Sequence, residues 1–343
     1  MRERRLPEKG YYRRFLHVDM LNGVVVALGR RVELPKAASS ARIREVEAAR
    51  SVEELVKSMR WTAFNARKMG EAREVLSEMV KPNGSFNFLG LAGALVPAGL
   101  RKILVEMVRR KWVSVIVSSG ANVTHDLSMA FGARHFQIKG RVSDYALRKR
   151  GLCRIYDFYT TNEGFVELER RIGRLLREIP AGQYGSHELL GEIGARLRDE
   201  GSILRAAHEA NVKVLVPAFT DSILGLHVWM FSRFHGVKVD PFKDLDYILD
   251  LQFELRSRRA KTGAIILGGG VPKNFILQSS LFAEKPLDYA LQITTDRPEF
   301  GGLSGATLEE AVSWGKISRN AKACTVYCDA TIALPVLFSS MRV

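Results

Sequence analysis

From residue 86 onward, short apolar segments alternate with segments long enough to form helices. Apolar strands separated by helices are typical of a parallel sheet whose two faces are both covered. We therefore predict an α/β protein with a Rossmann-like parallel sheet flanked by helices. The predicted strands are FNFLG (86–90), VSVIVSS (113–119), VKVLVPAF (212–219), GAIILGG (263–269), DYALQITT (288–295) and CTVYCDA (324–330).

The part of the chain that precedes this pattern has a different character. We expect residues 1–85 to form an N-terminal arm and a helical extension, and residues 86–343 to form an α/β domain that makes one compact unit with them. A strand-like piece, VVVAL, occurs at 24–28. Ser51 and Glu54 have the spacing of a capping box, which predicts that a helix begins at this point.

Small or acidic residues follow most of the predicted strands. Any one of these groups is typical of an ordinary turn. In an open parallel sheet, however, ligands bind beyond the carboxyl ends of the strands, so groups at equivalent places predict one binding rim. The chain has no G-x-G-x-x-G motif with an acidic residue about twenty positions later, so the usual dinucleotide fingerprint is absent. The groups are Ser118-Ser119-Gly120, Asp221, Gly268-Gly269-Gly270, Thr295-Asp296 and Cys328-Asp329-Ala330.

A lysine next to an indole stands at the end of the segment GGLSGATLEEAVSWGK, which covers residues 301–316. Lys316 beside Trp314 is a candidate for amine chemistry, because partial desolvation disfavours an ammonium ion and exposes the nitrogen lone pair. A single lysine is more often a solvated surface residue. The pattern alone leaves both interpretations open.

Several segments together resemble the deoxyhypusine synthase family. SGATLEEAVSWGKI (304–317) and VYCDATIALPVL (326–337) are similar to its C-terminal signature. The resemblance extends in the expected order over residues 86–338, and the W-G-K block is its most specific part. The other matching segments are FNFLGLAGALVPAGLR (86–101), VSSGANVTHDL (117–127), VPAFTDSILG (216–225) and IILGGGVPKN (265–274).

The resemblance implies a transferase that uses NAD and acts in hypusine biosynthesis. In that family NAD takes a hydride from the carbon next to an amine nitrogen of a polyamine, and the lysine of W-G-K, here Lys316, then holds the alkyl fragment as an imine. An acceptor amine, one lysine of a translation initiation factor, receives the fragment. The alternative activity is that of a homospermidine synthase, in which the acceptor is a small amine. The resemblance also implies a homotetramer built from dimers, with each site completed across a dimer interface.

Site residues are implied position by position. Lys316 is the catalytic residue, Glu310 would hold an ammonium group of the substrate, and Trp314 would pack against its aliphatic chain and its cation. The rim residues would bind NAD, because backbone amides and hydroxyls suit a pyrophosphate and carboxylates suit ribose hydroxyls. The cofactor positions are Gly93, Ala94, Leu95, Val96, Pro97, Ser118, Ser119, Gly120, Asp221, Thr295, Asp296, Asp329 and Ala330.

The substrate positions depart from the family pattern. Where family members carry two glutamates before Asp-Leu, this chain has Thr124 and His125 before Asp126. Three further expected polar residues, an aspartate, a histidine and an aspartate, correspond to Leu226, Phe275 and Leu303. We therefore expect the cofactor site and the lysine to be intact and the polyamine site to be altered. The candidate substrate-binding residues are Glu310, Trp314, Asp126, His125, Leu303 and Phe275.

The chain carries a formal net charge of +15, with basic clusters at 2–5, 11–14 and 29–31. A basic chain can bind nucleic acid or an acidic protein, and a non-catalytic scaffold of that kind is a third hypothesis. A solvated basic surface is the simpler interpretation, since no aromatic RNA-binding signature or zinc-finger spacing is present. We therefore expect no nucleic-acid partner.

No apolar run is long enough to span a membrane, and the first residues lack the apolar stretch of a signal peptide. The three cysteines are too few for a disulfide framework or a zinc site, so we expect no structural metal. Together these features predict a cytoplasmic protein without a membrane partner.

Overall fold

The computed structural model describes residues 24–27, 30–33 and 43–341. The strands in chain order are β1 (Val24–Ala27), β2 (Arg30–Glu33), β3 (Phe86–Leu91), β4 (Val115–Ser118), β5 (His135–Gln137), β6 (Leu152–Ile155), β7 (Phe158–Thr161), β8 (Gly182–Tyr184), β9 (Lys213–Leu215), β10 (Val237–Val239), β11 (Thr262–Leu267), β12 (Leu287–Thr294) and β13 (Ile317–Tyr327). The α-helices are α1 (Val52–Met59), α2 (Phe64–Val80), α3 (Arg101–Arg109), α4 (Gly120–Ala130), α5 (Asp144–Lys149), α6 (Asn162–Glu178), α7 (Ser186–Ala195), α8 (Ile203–Glu209), α9 (Ile223–His235), α10 (Pro241–Ser257), α11 (Gly270–Phe282), α12 (Leu308–Ser313) and α13 (Ala330–Ser339).

The chain separates into two compact units, residues 1–44 and 45–343. In the first unit, β1 pairs with β2 in an antiparallel ladder, and β1 confirms the strand predicted at 24–28. The basic clusters at 2–5 and 11–14 lie outside the described residues. In the second unit, the hydroxyl of Ser51 accepts a hydrogen bond from the amide of Glu54 at 3.1 Å, and this cap begins α1 as predicted.

A six-stranded parallel sheet forms the centre of the second unit and confirms the α/β class. Its order is β9-β4-β3-β11-β12-β13, and every neighbouring pair is parallel. Numbered by their sequence within this sheet, the strands run 3-2-1-4-5-6, which is the order of the doubly wound dinucleotide-binding fold. The order reverses between β3 and β11. Each of the six predicted strands lies in this sheet.

Both faces of the sheet are buried, because alternate side chains point to opposite sides. Leu89, Ile116 and Ile265 belong to the larger of two apolar clusters. Phe88 and Ile266, their neighbours along the strands, belong to the other. This arrangement explains why the strands are almost uniformly apolar and why the sequence showed them as continuous runs.

A small antiparallel sheet, ordered β5-β7-β6, was not predicted from the sequence. Its strands contain only three or four residues and carry polar and charged side chains, so they give little periodic signal. The cysteines Cys153, Cys324 and Cys328 are free. Among the described residues, no helix is both long and apolar enough to cross a membrane.

Candidate active site

The predicted cofactor positions lie at the carboxyl end of the main sheet, at or beyond the last residues of its strands. All six strands run in the same direction, so the segments that follow them emerge together. We call these segments the rim; they comprise 93–97, 118–120, Asp221, 295–296 and 329–330. The centre of this end of the sheet lies between β3 and β11, where the strand order reverses. This is the usual position of a ligand crevice in such sheets.

Asn122 fixes the rim loop that follows β3. Its side-chain oxygen accepts from the amide of Val96 at 3.1 Å, and its side-chain nitrogen donates to the carbonyl of Gly93 at 2.8 Å and to the hydroxyl of Ser119 at 3.2 Å. Asn122 is buried, so these bonds also satisfy its polar atoms. Sequence reasoning missed this residue. The only available signal was a polar side chain within VSSGANVTHDL.

Four helices begin at the same end of the sheet, namely α4, α9, α11 and α13. Their first turns present the positive end of each helix dipole, which suits a pyrophosphate. The first turns of α4 and α11 have no side-chain cap, so their N–H groups are open to a ligand. In α9 and α13, Ser222 and Asp329 already accept from such groups. Gly120 allows two of these helices to start side by side, because a Cβ atom there would lie 2.5 Å from the Cβ of Ser222 in the cap of α9. The residues at this end of the sheet therefore fit a dinucleotide.

The acidic residues of the rim differ in the hydrogen bonds that their carboxylates already accept. Asp329 caps α13 by accepting from the amide of Thr331 at 2.7 Å and from its hydroxyl. Asp296 accepts from the amide of Arg297 at 3.0 Å. Asp221 is exposed just before α9. Asp221 is therefore well placed to bind a hydroxyl-bearing ligand.

Residues 301–316 form a second feature, which we call the lysine strip. The strip contains α12, capped by the hydroxyl of Thr307, and ends at Lys316. The carbonyl of Lys316 accepts from the amide of Leu287 at 3.1 Å and from the hydroxyl of Ser280 at 3.0 Å, which fixes its backbone at the amino end of β12. The Lys316 Nζ lies 5.5 Å from the centre of the Trp314 ring, and that ring is 60% exposed. Trp314 and Lys316 therefore meet as the sequence predicted.

A second lysine, which sequence reasoning did not single out, lies beneath the strip. Lys273 is buried on the first turn of α11, and its Nζ donates to the side-chain oxygen of Gln292 at 3.0 Å and to the carbonyl of Ala306. Burial lowers the pKa of Lys273 to about 8, against the opposing effect of the carboxylates of Glu310 and Asp296. The charge of Lys316 lowers it further. The strip and the rim thus share one electrostatic environment.

Leu226 and Leu303 lie near different strands of the main sheet. Leu226 lies on α9, which follows the edge strand β9. Leu303 lies on the strip next to Ser304, whose backbone packs against Gly269 after β11. Three strand spacings separate β9 from β11, a distance of about 14 Å. Both side chains are at least half exposed, so neither is enclosed within one chain.

Phe275 and His125 are partly buried against other side chains. Phe275 packs against the smaller of the two apolar clusters, which includes Leu308 and Ala311 of the strip. The His125 ring lies 5.5 Å from that of His135 and 6.2 Å from that of Phe165, measured between ring centres. Burial, with a smaller effect of His135, lowers the pKa of His125 to about 4, so this histidine is neutral near pH 7.

Asp126 is buried in a network that joins three helices. One of its carboxylate oxygens lies 2.7 Å from Nε of Arg101, and the carboxylate also accepts from the hydroxyl of Ser202 at 2.8 Å and from the amides of Ile203 and Leu204 at 3.0 and 3.1 Å. The carboxylate therefore stabilises the start of α8 and balances the charge of a largely buried arginine. This environment favours a structural role for Asp126 over a role in binding an amine.

Among the described residues, no group of three or more His, Cys, Asp and Glu side chains is arranged to hold a metal ion.

Comparisons with known proteins decide the family. The family model for deoxyhypusine synthase matches residues 54–341. The chain belongs to the deoxyhypusine synthase family. The proteins of this family are transferases, and the enzyme class predicted from the sequence is confirmed.

Relatives match over most of their length. The chain is 42% identical to "probable deoxyhypusine synthase 1" of Methanosarcina acetivorans, over 85% of this chain and 91% of the relative. It is 45% identical to a protein of the same name from Archaeoglobus fulgidus, over 86% and 95% of the two chains. A crystal structure described as a "putative deoxyhypusine synthase" from Entamoeba histolytica has the same fold, with a TM-score of 0.59 and 19% identity over 84% of this chain and 92% of that one.

We predict that Asp126→Ala lowers the free energy of unfolding by about 3–5 kcal/mol, because it leaves the buried Arg101 without its closest carboxylate. Urea unfolding measures this loss, and Asp157→Ala, at an exposed carboxylate, is the control. A loss in Asp126→Ala no larger than in the control would contradict the structural role.

Proposed function

We propose that this chain is an NAD-dependent aminoalkyl transferase that works through an imine on Lys316, and that deoxyhypusine synthesis on a lysine of a translation initiation factor is its activity. The observation that carries the proposal is the placement of Lys316 beside Trp314 on a strip fixed at both ends, in a member of this family. The fold supports the cofactor assignment, because its strand order is that of dinucleotide-binding sheets.

The rim residues are proposed to hold NAD. The loop at 93–97, fixed by Asn122, and the first turns of α4 and α11 would contact the pyrophosphate. Asp221 would bind a ribose hydroxyl. When bound, NAD supplies a hydride acceptor for the carbon next to the amine nitrogen, and later returns the hydride to the product.

The strip residues are proposed to act on the amine. Glu310, exposed on α12, would hold an ammonium group, and the half-exposed Trp314 ring would cover the alkyl chain. Lys316 would attack the oxidised carbon with its neutral amine, release the departing amine and keep the fragment as an imine. The acceptor lysine then displaces Lys316, which leaves the enzyme unchanged.

The protein is proposed to be a homo-oligomer, a tetramer built from dimers, with each site completed across a dimer interface. The exposure of Leu226 and Leu303 supports this arrangement, since both positions belong to the substrate site that the family resemblance implies and neither is covered within one copy. A second copy could place its lysine strip against the β9 side of the rim. The exposed apolar residues Leu226 and Trp229 on α9 would then be covered by that copy.

We predict that Lys316→Arg abolishes covalent trapping of the amine fragment, because a guanidinium stays protonated and cannot form the imine. The measurement is mass spectrometry of protein reduced with borohydride after incubation with NAD and a panel of amines. Lys322→Arg, at an exposed lysine of β13, is the matched control and should trap normally. Undiminished trapping in Lys316→Arg would refute the role of Lys316.

We also predict that spermidine binds more weakly, and is turned over more slowly, than in family members with acidic residues at these two positions, because Leu226 and Leu303 offer no acceptor for an ammonium group. Each missing charge-assisted hydrogen bond is worth roughly 1.5–3 kcal/mol, and two of them change affinity by about 10²- to 10⁴-fold. Leu303→Asp should therefore improve turnover of spermidine, whereas Leu303→Asn, with the same shape and no charge, should improve it less. Efficient aminobutyl transfer from spermidine by the wild-type protein would show that the pocket meets both charges by other means.

A further inference from the structure

The lysine strip depends on its attachments, because the helix within it is too short to be stable alone. α12 has six residues, whereas isolated helices shorter than about 12 residues are marginal in water. At its far end, the strip is tied by the carbonyl of Lys316 to Leu287 and Ser280. The position of Glu310 and Trp314 therefore depends equally on how the near end, 304–306, is held.

Two buried side chains hold the near end. The Nζ of Lys273 donates to the carbonyl of Ala306 and to the side-chain oxygen of Gln292 at 3.0 Å. The side-chain nitrogen of Gln292 donates to the carbonyls of Ser304 and Gly268, each at 2.9 Å. These four bonds join the strip, β12 and the segment Gly268-Gly269-Gly270 that follows β11, which we call the glycine loop. We call Lys273 and Gln292 the clamp.

The strip also packs directly on the glycine loop. A Cβ atom at Gly269 would lie 2.4 Å from Cα of Ser304, so the backbone of the strip touches the backbone of the loop. This loop follows β11, one of the two strands between which the order of the sheet reverses. The clamp therefore fixes the strip against the loop that follows β11.

The choice of a lysine at this position is costly for stability. Lys273 is 3% exposed, and its hydrogen-bond partners are neutral oxygens. A buried ammonium without a carboxylate partner is disfavoured, and lysine is rarely buried so completely. A methionine would fill the same space without a charge. The ammonium differs from methionine in that it can bind Gln292 and the strip at the same time.

We propose that Lys273 is a positioning residue. Together with Gln292 it holds the lysine strip on the glycine loop, and this keeps Glu310, Trp314 and Lys316 in the positions that the reaction with the amine requires. The hydrogen bonds of the clamp do not depend on which reaction the protein catalyses. Their effect on imine formation at Lys316 rests on the proposed function. Lys273 does not touch the reacting atoms in this account.

Hydrogen exchange followed by mass spectrometry tests the clamp without an activity assay. The amides of Gly305, Ala306 and Ala311 are hydrogen-bonded within the strip, so their peptides report its attachment. In Lys273→Met and in Gln292→Leu, these peptides should exchange about 10- to 100-fold faster, the factor that corresponds to one lost charge-assisted hydrogen bond. Peptides from β3 and β4 should be unchanged. Lys243→Met, which removes an ammonium that donates to Glu188 on α7, away from the strip, is the control.

The borohydride assay tests the consequence. Lys273→Met should slow trapping at Lys316 by at least tenfold, and Lys243→Met should leave it unchanged. Strip exchange at the wild-type rate in both clamp variants, or a uniform rise in exchange throughout the sheet, would overturn the proposal. So would normal trapping in Lys273→Met. If the wild-type protein traps no amine, the proposed function fails, and the exchange rates still decide whether the clamp exists.

Discussion

The common direction of the six parallel strands is the constraint on which the rest of the structure depends. Because every strand points the same way, the loops that follow the strands all lie at the carboxyl end of the sheet. The order reverses between β3 and β11, which is the place where open parallel sheets usually bind a ligand. The same geometry places β9 and β13 at opposite edges, about five strand spacings apart. Leu226 and Leu303, the two substrate positions on different parts of the sheet, are at least half exposed in a single copy.

Buried polar side chains then fix the loops that the sheet brings together. Asn122 ties the loop after β3 to the start of α4, and Gln292 ties the loop after β11 to the lysine strip. Each of these groups is largely or fully hydrogen-bonded, which is the condition under which a buried polar group specifies a structure without destabilising it. Asp126 does the same for α8. The carboxyl end of the sheet is thus shaped by a few amides and charges that a purely apolar core could not replace.

The fold was largely predictable because its signals are local. Each apolar run of the main sheet became a strand, and the residues after those runs came to one end of the sheet, as the direction of parallel strands requires. The W-G-K segment identified the family because its sequence is specific. The short strands β5, β6 and β7 escaped prediction because three or four mixed residues carry no clear periodicity.

The contacts of the candidate site were harder to predict because they join residues distant in sequence. Lys273 meets Ala306 across 33 positions, and nothing in the local sequence reveals that contact. Helix phase was a second difficulty. Lys273 and Phe275 are two residues apart and so point roughly 200° away from each other, one toward the strip and one toward the core. The family resemblance gave positions in the chain, whereas the direction of each side chain required the structure.

Mixing two inactive variants would test most directly whether the site is built from two copies. Lys316→Arg lacks the proposed nucleophile, and Asp221→Asn weakens the proposed cofactor site on the rim. If each site combines the rim of one copy with the strip of another, mixed dimers contain one intact site, and borohydride trapping returns on Lys316 of the Asp221→Asn chain. If the rim and strip of the same copy form the site, every site in the mixture carries one of the two defects, and trapping stays at the level of the separate variants. That second result would contradict the account.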